Sequence, residues 1–379
     1  MGKIRVMSVF GTRPEATKMG PLIKALERDG NFESLVCVTA QHRSLLDEVL
    51  ELFGITPDYD LNIMIEGQTL EYITVSALSG LSAVIDEAKP DLILVHGDPT
   101  TAFAGALAAF YKGVKLGHVE AGLRTYDKFQ PYPEEINRKL VGSLADIHFA
   151  PTELTKSNLL KENISEDIIY VTGNTAVDCA KNSYKADYVF SRDMLNTIDY
   201  ENKKVITVTA HRKENLGKPL ENICHALMDI VNQHEDVEII YPVHPNPAVK
   251  NTAHRILDEV RGVHVIDAID FVDLHNLMAR SFMVLSDSGG LQEEASVFNK
   301  PVLVLRNVTE RPEGIEAGIL KLAGTDRNAI VEKVNELITN TDEYNRMVEA
   351  KNPFGDGYAS EKIVEAIKDY FSVSEVSST

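Results

Sequence analysis

Short apolar runs rich in β-branched residues alternate with longer segments of helical periodicity along this 379-residue chain. In the first half, the runs predicted to be strands are Ile4–Phe10, Leu35–Thr39, Leu92–His96, Leu116–Val119, Ile147–Ala150 and Ile168–Val171. The helices predicted between them are Met19–Glu27, Ser44–Phe53, Leu70–Glu87, Thr101–Tyr111 and Glu135–Leu144. Such alternation is typical of a parallel sheet with helices on both faces, so we expect an α/β fold with doubly wound sheets.

The alternation pauses over the polar stretch 185–203 and then resumes. The second set of predicted strands is Val205–Thr209, Val237–Tyr241, Val263–Ile266, Phe282–Ser286 and Val302–Leu305, and the predicted helices are Glu221–His234, Val249–Val260, Leu274–Ala279 and Ile330–Asn340. We therefore expect two domains, 1–200 and 201–379, facing each other across a cleft. Ligands of open α/β sheets bind outside the carboxyl ends of the strands, so functional residues are expected at those positions.

Composition excludes several classes of function. The formal net charge is -19, whereas binding to nucleic acid or to an anionic membrane surface requires a basic patch. Three widely spaced cysteines form neither a disulfide framework nor a metal-ligand pattern. The sequence shows no signal peptide and no apolar run long enough to cross a bilayer, so we expect a cytoplasmic protein.

Two cations follow the first predicted strand. Arg13 and Lys18 come after Gly11, and Pro14 favours entry into a helix. The segment has neither the Gly-x-Gly-x-x-Gly pattern of NAD sites nor the P-loop pattern. Arg13 and Lys18 are suited to an anionic ligand at a helix N-terminus, although a surface turn with two solvated cations is an equal alternative.

Three carboxylates lie at predicted strand or helix ends, and each has a structural alternative. Asp98 follows a strand and precedes a helix, so it could cap that helix with Pro99 at the first position. Glu120 closes an apolar strand and could pair with Arg124. Glu134 opens a helix, where the helix dipole favours acidic residues in any case. Their shared position at element ends favours a role in acid–base chemistry.

Two histidines and a glycine turn follow strands of the second half. His211 and His244 each lie just beyond a predicted strand. Ser288-Gly289-Gly290 joins a strand to a helix and offers unobstructed backbone N–H groups suited to a diphosphate. Glu294 lies one helical turn further on, and Arg311 follows the next strand. A tight turn without a ligand is the alternative for the glycines.

These motifs resemble those of the non-hydrolysing UDP-N-acetylglucosamine 2-epimerases, over about Ile4 to Phe371. The most specific matches are Phe-Gly-Thr-Arg-Pro-Glu-Ala, Gly-His-Val-Glu-Ala-Gly-Leu-Arg-Thr, Ser-Gly-Gly-Leu-Gln-Glu-Glu-Ala and Glu-Arg-Pro-Glu-Gly. The resemblance implies two Rossmann-like domains of the GT-B type, the second of which binds UDP, and a last helix able to pack back on the first. It also implies a homodimer that interconverts UDP-N-acetylglucosamine and UDP-N-acetylmannosamine without a cofactor or essential metal and supplies cell-surface polysaccharide.

The resemblance assigns roles to residues. It implies catalytic roles for Asp98, Glu120, Glu134 and His211. It implies substrate-binding roles for Arg13, Lys18, Ser288, Gly289, Gly290, Glu294 and Arg311, and a less defined binding role for His244.

The chain departs from the family pattern in four places. Pro99 replaces a Thr beside Asp98, and Leu274 stands where close relatives often have Phe. Bacterial relatives also bind a second UDP-N-acetylglucosamine as an activator. Here Gln41 and Arg43 remain as possible activator-site residues, but Ser44 and Gly67 stand where relatives carry Gln and Arg.

Three rival functions remain open at the level of sequence. A hydrolysing 2-epimerase of the same fold would release free N-acetylmannosamine and UDP. A GT-B glycosyltransferase would need an acceptor and would invert no ring carbon. A catalytically silent UDP-sugar sensor would not need the strand-end carboxylates that this chain retains.

Overall fold

The computed structural model describes residues 2–376, except the side chains of Ser44, Leu45 and 373–376. The chain divides into two compact units, residues 2–179 with 354–376 and residues 180–353.

Parallel strands separated by helices build the first unit. Its strands are β1 (Ile4–Phe10), β2 (Phe32–Val38), β3 (Tyr59–Asp60), β4 (Leu92–His96), β5 (Lys115–Val119), β6 (Ile147–Ala150) and β7 (Ile169–Val171). Its helices are α1 (Arg13–Arg28), α2 (Ser44–Phe53), α3 (Leu70–Ala88), α4 (Thr100–Lys112), α5 (Glu134–Leu144) and α6 (Glu153–Lys161). A further helix, α7 (Thr175–Ser183), begins in this unit and ends in the second.

The second unit repeats this pattern. Its helices are α8 (Asp193–Asn196), α9 (Lys218–Gln233), α10 (Pro247–Leu257), α11 (Phe271–Arg280), α12 (Gly289–Ser296), α13 (Pro312–Glu316), α14 (Arg327–Thr339) and α15 (Thr341–Glu349). Its strands are β8 (Lys204–Thr209), β9 (Val237–Val243), β10 (Val263–Asp267), β11 (Met283–Ser286), β12 (Val302–Val304) and β13 (Leu320–Leu322). The last helix, α16 (Ala359–Val376), belongs to the first unit and packs against α1.

Both sheets are wound in the same way. The strand order is β3-β2-β1-β4-β5-β6-β7 in the first and β10-β9-β8-β11-β12-β13 in the second, and the paired strands run parallel. This is the Rossmann order, so the doubly wound fold expected from the sequence is confirmed. In each sheet the winding reverses at one point, between β1 and β4 and between β8 and β11. Ligands of such folds bind at the carboxyl ends of the strands at this reversal point.

Each predicted element corresponds to an observed one, but the sequence pattern gave no helix for α6, α7, α8, α13 or α15. The sequence pattern missed β3 and β13, because two or three residues are too few to show a period. It also began the first helix at Met19, whereas α1 begins at Arg13. Glu15 explains the earlier start: its Oε2 accepts the N–H groups of Gly11 (3.1 Å) and Thr12 (2.9 Å) and so closes the first turn.

Apolar strands and inward helix faces form a separate core in each unit. The strand interiors are fully buried: Met7, Val9, Ile93 and Val95 in the first unit are packed under α3 and α4. In the second unit, Ile206, Val208, Ile239 and Leu285 are packed under α9 and its neighbours. Buried strands on rigid sheets hold the residues at their carboxyl ends in fixed positions. Among the described residues, no helix is both long and apolar enough to cross a membrane.

Candidate active-site residues

Asp98 lies just past β4, at the winding reversal of the first sheet. Gly97 turns the chain there with φ +60°, and Asp98 Oδ2 lies 2.7 Å from Arg138 Nη2 on α5. Asn137 Nδ2 donates to the backbone carbonyl of Asp98 at 2.9 Å. Asp98 does not cap α4. Pro99 occupies the N-cap position of this helix, and no side chain makes a cap hydrogen bond there. The carboxylate is therefore available for a role other than capping.

Glu120 follows β5 and sits in a strained backbone conformation. Its φ is +62°, a region that side chains other than glycine rarely adopt. Its Oε1 accepts hydrogen bonds from Lys18 and from Asn174 Nδ2 (3.0 Å), and its Oε2 lies 3.7 Å from His96 Nε2. It makes no pair with Arg124, which binds Glu162 instead at 2.7 Å. Backbone strain at a charged residue whose side chain is 8% exposed is typical of functional sites.

Burial governs the protonation of this group of residues. It raises the pKa of Asp98 to about 6, although the guanidinium of Arg138 opposes the shift and the charge of Glu120 adds to it. Burial also lowers the pKa of His96 to about 4, so that its imidazole is neutral at pH 7. Burial raises the pKa of Glu15 to about 7. A carboxyl group with a pKa near neutrality can both accept and donate a proton.

The remaining predicted residues of the first unit lie on α1 and α5. Arg13 is half-buried at the start of α1. Lys18, one turn further along, reaches Glu120. Glu134 is half-buried at the start of α5, and its charge helps to raise the pKa of Asp98. Its neighbour Glu135 has a structural role, since its carboxylate accepts the N–H groups of Thr125 (3.1 Å) and Tyr126 (2.9 Å).

In the second unit, one buried carboxylate joins the two loops at the winding reversal. Ser286 pairs with Thr209 in the sheet, so the residues that follow them run side by side. Asp287 Oδ2 accepts the backbone N–H groups of His211 and Arg212, both at 2.9 Å. The ring of His211 stacks on His244, with centroids 5.1 Å apart and planes 16° apart. The two histidines that the sequence placed after separate strands are therefore in contact.

The glycine turn has space around it. A Cβ built on Gly289 would lie 3.7 Å from Arg212 Nη2 and 3.8 Å from Arg311 Nη2, and neither Gly289 nor Gly290 has a positive φ. Neither the backbone nor the packing therefore requires glycine here. Two guanidinium groups and the Glu310 carboxylate flank the start of α12. The first backbone N–H groups of a helix have no partner within that helix, so the guanidinium groups and the helix start are suited to a phosphate.

Two carboxylates complete this group. Arg311 donates through Nε to the buried Glu293. Glu294 Oε2 lies 3.1 Å from His275 Nε2, and Glu294 Oε1 is 3.5 Å from the Cβ position of Gly290. Glu294 is therefore held beside the glycine turn.

Five residues at these sites were not singled out from the sequence: His96, Arg138, Asn174, Arg212 and Asp287. Three of them lay in segments already of interest, since His96 precedes Asp98, Arg212 follows His211 and Asp287 precedes Ser288. Arg138 and Asn174 are far along the chain from the carboxylates that they contact. For those two, no local sequence signal exists.

The possible activator residues Gln41 and Arg43 are already paired within the first unit. Arg43 contacts Asp47 at 3.0 Å and Asp60 at 2.5 Å. Gln41 accepts from Thr101 at 3.1 Å. The Ser44 side chain is outside the described part of the structure. Within residues 2–376, no three His, Cys, Asp or Glu side chains are grouped so that they could hold a metal ion.

Comparison with known proteins gives the same family by a family model and by a similar protein. The family model described as UDP-N-acetylglucosamine 2-epimerase matches residues 24–368. The Bacillus subtilis UDP-N-acetylglucosamine 2-epimerase is 53% identical over 367 residues, which cover 97% of this chain and 96% of that protein.

Two solved structures are similar along their whole length. The UDP-N-acetylglucosamine 2-epimerase from Neisseria meningitidis, bound to UDP-N-acetylglucosamine, has a TM-score of 0.87 and 45% identity, covering 97% of this chain and 100% of that one. MnaA from S. aureus, solved with UDP, has a TM-score of 0.85 and 52% identity, covering 97% of each chain. With its two parallel sheets of Rossmann order and a family match over most of its length, this chain belongs to the UDP-N-acetylglucosamine 2-epimerase family.

Proposed function

We propose that this protein interconverts UDP-N-acetylglucosamine and UDP-N-acetylmannosamine by eliminating and re-adding UDP, without hydrolysis. The observation that supports this most is the group of Asp98 and Glu120 at the carboxyl ends of β4 and β5, with Arg138 and Lys18 paired to them. This group provides carboxylates in two different environments, which proton removal and proton return both require. We further propose that the product supplies cell-surface polysaccharide.

The chemistry follows from the substrate. Carbon 2 has no adjacent carbonyl that would acidify its proton, so elimination is the simplest route. A protein base takes the proton from carbon 2, the bond between carbon 1 and the UDP oxygen breaks, and the bonding electrons leave on UDP. A double bond then joins carbons 1 and 2. A proton next adds to the opposite face of carbon 2, and the UDP oxygen forms its bond to carbon 1 again.

We assign the proton transfers to Asp98, Glu120 and Glu134. Burial raises the pKa of Asp98 to about 6, so near neutral pH this group exists in both protonation states. The backbone turn at Glu120 and its bonds to Lys18 and Asn174 restrict the rotation of the Glu120 carboxylate. A fixed base costs little reorganisation during the reaction.

The second unit supplies the groups that we assign to UDP. Arg212, Arg311 and the start of α12 are suited to the diphosphate, because its charge is met by two guanidinium groups and backbone N–H donors. Glu294, held by His275, is suited to the ribose hydroxyl groups. His211, stacked on His244, is assigned to catalysis. Firm retention of UDP is what separates epimerisation from release of the sugar.

Proton NMR of UDP-N-acetylglucosamine in heavy water with this protein tests the proposal. The expected result is appearance of UDP-N-acetylmannosamine with deuterium at carbon 2 and no accumulation of free UDP. Stoichiometric UDP with free N-acetylmannosamine would instead identify a hydrolysing 2-epimerase. If the spectrum does not change but calorimetry shows that the protein binds UDP, the protein would be a sugar-nucleotide sensor. Sugar transfer only when an acceptor is added would identify a glycosyltransferase.

We also propose that the protein acts as a homodimer in the cytoplasm. Val75 on α3, and Phe110 and its sequence neighbour Tyr111 on α4, leave more than half of their surfaces exposed. We propose that these side chains form part of an apolar patch at the subunit contact. Sedimentation equilibrium should give twice the mass of 42.0 kDa. Phe110→Glu should shift the protein toward the monomer, and cell fractionation tests the location.

A further inference from the structure

Asp287 is fully buried, and its two carboxylate oxygens have different surroundings. Oδ2 accepts three hydrogen bonds at 2.9 Å, from the backbone N–H groups of His211 and Arg212 and from Asn215 Nδ2. Oδ1 is buried and, among the described residues, makes no hydrogen bond. It lies 3.6 Å from the ring nitrogen Nδ1 of His211. A buried carboxylate oxygen that lacks a donor is costly, so its position beside an imidazole nitrogen requires an explanation.

Oδ2 of Asp287 fixes the backbone from which the His211 ring extends. By accepting the N–H groups of both His211 and Arg212, Oδ2 holds the backbone at the base of the ring. Stacking on His244 then limits the rotation of the ring plane. With the backbone held and one face covered, Nδ1 faces Oδ1 at 3.6 Å. The arrangement therefore favours one orientation of the imidazole.

A carboxylate can only accept, so a histidine nitrogen that faces it carries the hydrogen. The other ring nitrogen, Nε2, is then the one left to exchange a proton. We propose that Asp287 is a positioning residue that holds His211 in the Nδ1–H tautomer and leaves Nε2 to act on the substrate, an inference that rests on the proposed function for its catalytic consequence. Asp287 itself need not touch the substrate.

The wild-type protein gives the first test, without any turnover. Long-range proton–nitrogen correlation spectra of histidine-labelled protein at pH 8 distinguish a ring nitrogen that bears hydrogen from a bare one. The chain has 11 histidines, and the His211→Gln spectrum identifies the signal that belongs to His211. Hydrogen on Nδ1 is the expected result. Hydrogen on Nε2 with a bare Nδ1 would overturn the proposal, whether or not the protein is an epimerase.

Asp287→Asn gives the second test, because its amide has only one favourable orientation. The groups around Oδ2 are all donors, so the amide oxygen must take that side, and the NH2 group must face the His211 ring. An NH2 donor requires a bare Nδ1, which moves the hydrogen to Nε2. The same exchange beside the histidine of a serine protease installs the wrong tautomer and lowers kcat by about 10⁴.

The expected outcome for Asp287→Asn is a reversed tautomer, a fall in kcat of at least about 100-fold, and a UDP dissociation constant within about threefold of wild type. Asp270→Asn is the matched control, since Asp270 also accepts a backbone N–H in this unit and an Asn can replace it as a cap. It should change neither tautomer nor kcat. A purely structural Asp287 would weaken UDP binding and thermal stability in the variant and leave the tautomer of His211 unchanged. An inactive wild type with hydrogen on Nδ1 would contradict the proposed function and leave the positioning role intact.

Discussion

Arg138 reaches back from α5 and places Nη2 2.7 Å from Asp98 Oδ2, so that a half-buried carboxylate and a buried guanidinium form one ion pair at the end of β4. Burial raises the pKa of Asp98, and Arg138 acts against that shift. The pair therefore keeps Asp98 within the range in which an enzyme can use it near neutral pH.

The first prediction concerns this pair. In wild type, kcat/KM should fall as the pH drops below about 6, because Asp98 becomes protonated. Arg138→Met removes the charge that stabilises the ionised form of Asp98. The acidic limb of the plot of kcat/KM against pH should therefore move to higher pH by roughly one to three units. Lys139→Met, at the half-exposed neighbouring position, is the control and should leave the limb in place. If the acidic limb does not move in Arg138→Met, Arg138 does not influence the pKa of Asp98.

The second prediction concerns Glu120. Glu120→Gln keeps the shape of the side chain and removes the proton acceptor, so kcat should fall by at least about 100-fold. Glu87→Gln, at an exposed position on α3, makes the same chemical change and should retain full activity. Steady-state rates of both variants check this, and near-wild-type turnover in Glu120→Gln would remove that residue from the mechanism.

The third prediction concerns the glycine turn. A Cβ at Gly290 would meet only Glu294 Oε1, at 3.5 Å, so Gly290→Val should fold. If a diphosphate approaches this turn, the added branch should block it and UDP affinity should fall by at least about 100-fold. Gly30→Val, at a position with open space around it, is the matched control. Calorimetry measures the affinity of both variants for UDP. Unchanged binding by Gly290→Val would place the diphosphate elsewhere.

The fourth prediction concerns acid stability. His148 is fully buried, neither ring nitrogen has a hydrogen-bond partner among the described residues, and burial lowers its pKa from 6.5 to about 4. Between these values the unfolded chain binds more protons than the folded one, so stability should fall as the pH drops from 6.5 towards 4. Over this interval, the His148 ring should lower the free energy of unfolding by on the order of 3 kcal/mol.

His148→Leu should reduce the pH dependence of the free energy of unfolding over that interval, and His96, whose pKa burial also lowers to about 4, should keep part of it. His42→Leu, at an exposed position, is the control and should keep the wild-type slope. Denaturant titrations at pH 7, 6, 5 and 4 measure this. A slope equal to that of wild type in His148→Leu would assign the acid sensitivity to other groups.

The fifth prediction concerns activation by a second sugar nucleotide. Two carboxylates already pair with Arg43, and Gly67 stands where relatives carry an arginine. A lost hydrogen bond to a charged group costs about 1.5–3 kcal/mol, or roughly 10- to 150-fold in affinity. The reaction from UDP-N-acetylmannosamine alone should therefore start without a lag. A long lag that traces of UDP-N-acetylglucosamine abolish would show that the activator site still works.

The sequence alone determined the fold class, since alternating apolar strands and amphipathic helices leave few other arrangements. It also placed Asp98, Glu120, His211 and the glycine turn at element ends, because turn residues and strand periodicity are local properties of the chain. The division near residue 200 stays a prediction, as do the roles of the individual site residues.

Only the tertiary structure decided which partner each of these residues has. Arg124 was the nearest cation in sequence to Glu120, yet it pairs with Glu162, and Lys18 contacts Glu120 from 102 positions away. Asp98 could have capped its own helix but pairs with Arg138 instead. Asp287 joins two loops that are more than 70 positions apart in the chain. The order of parallel strands in a sheet brings such residues together, and that order follows from the packing of the whole chain rather than from any local segment.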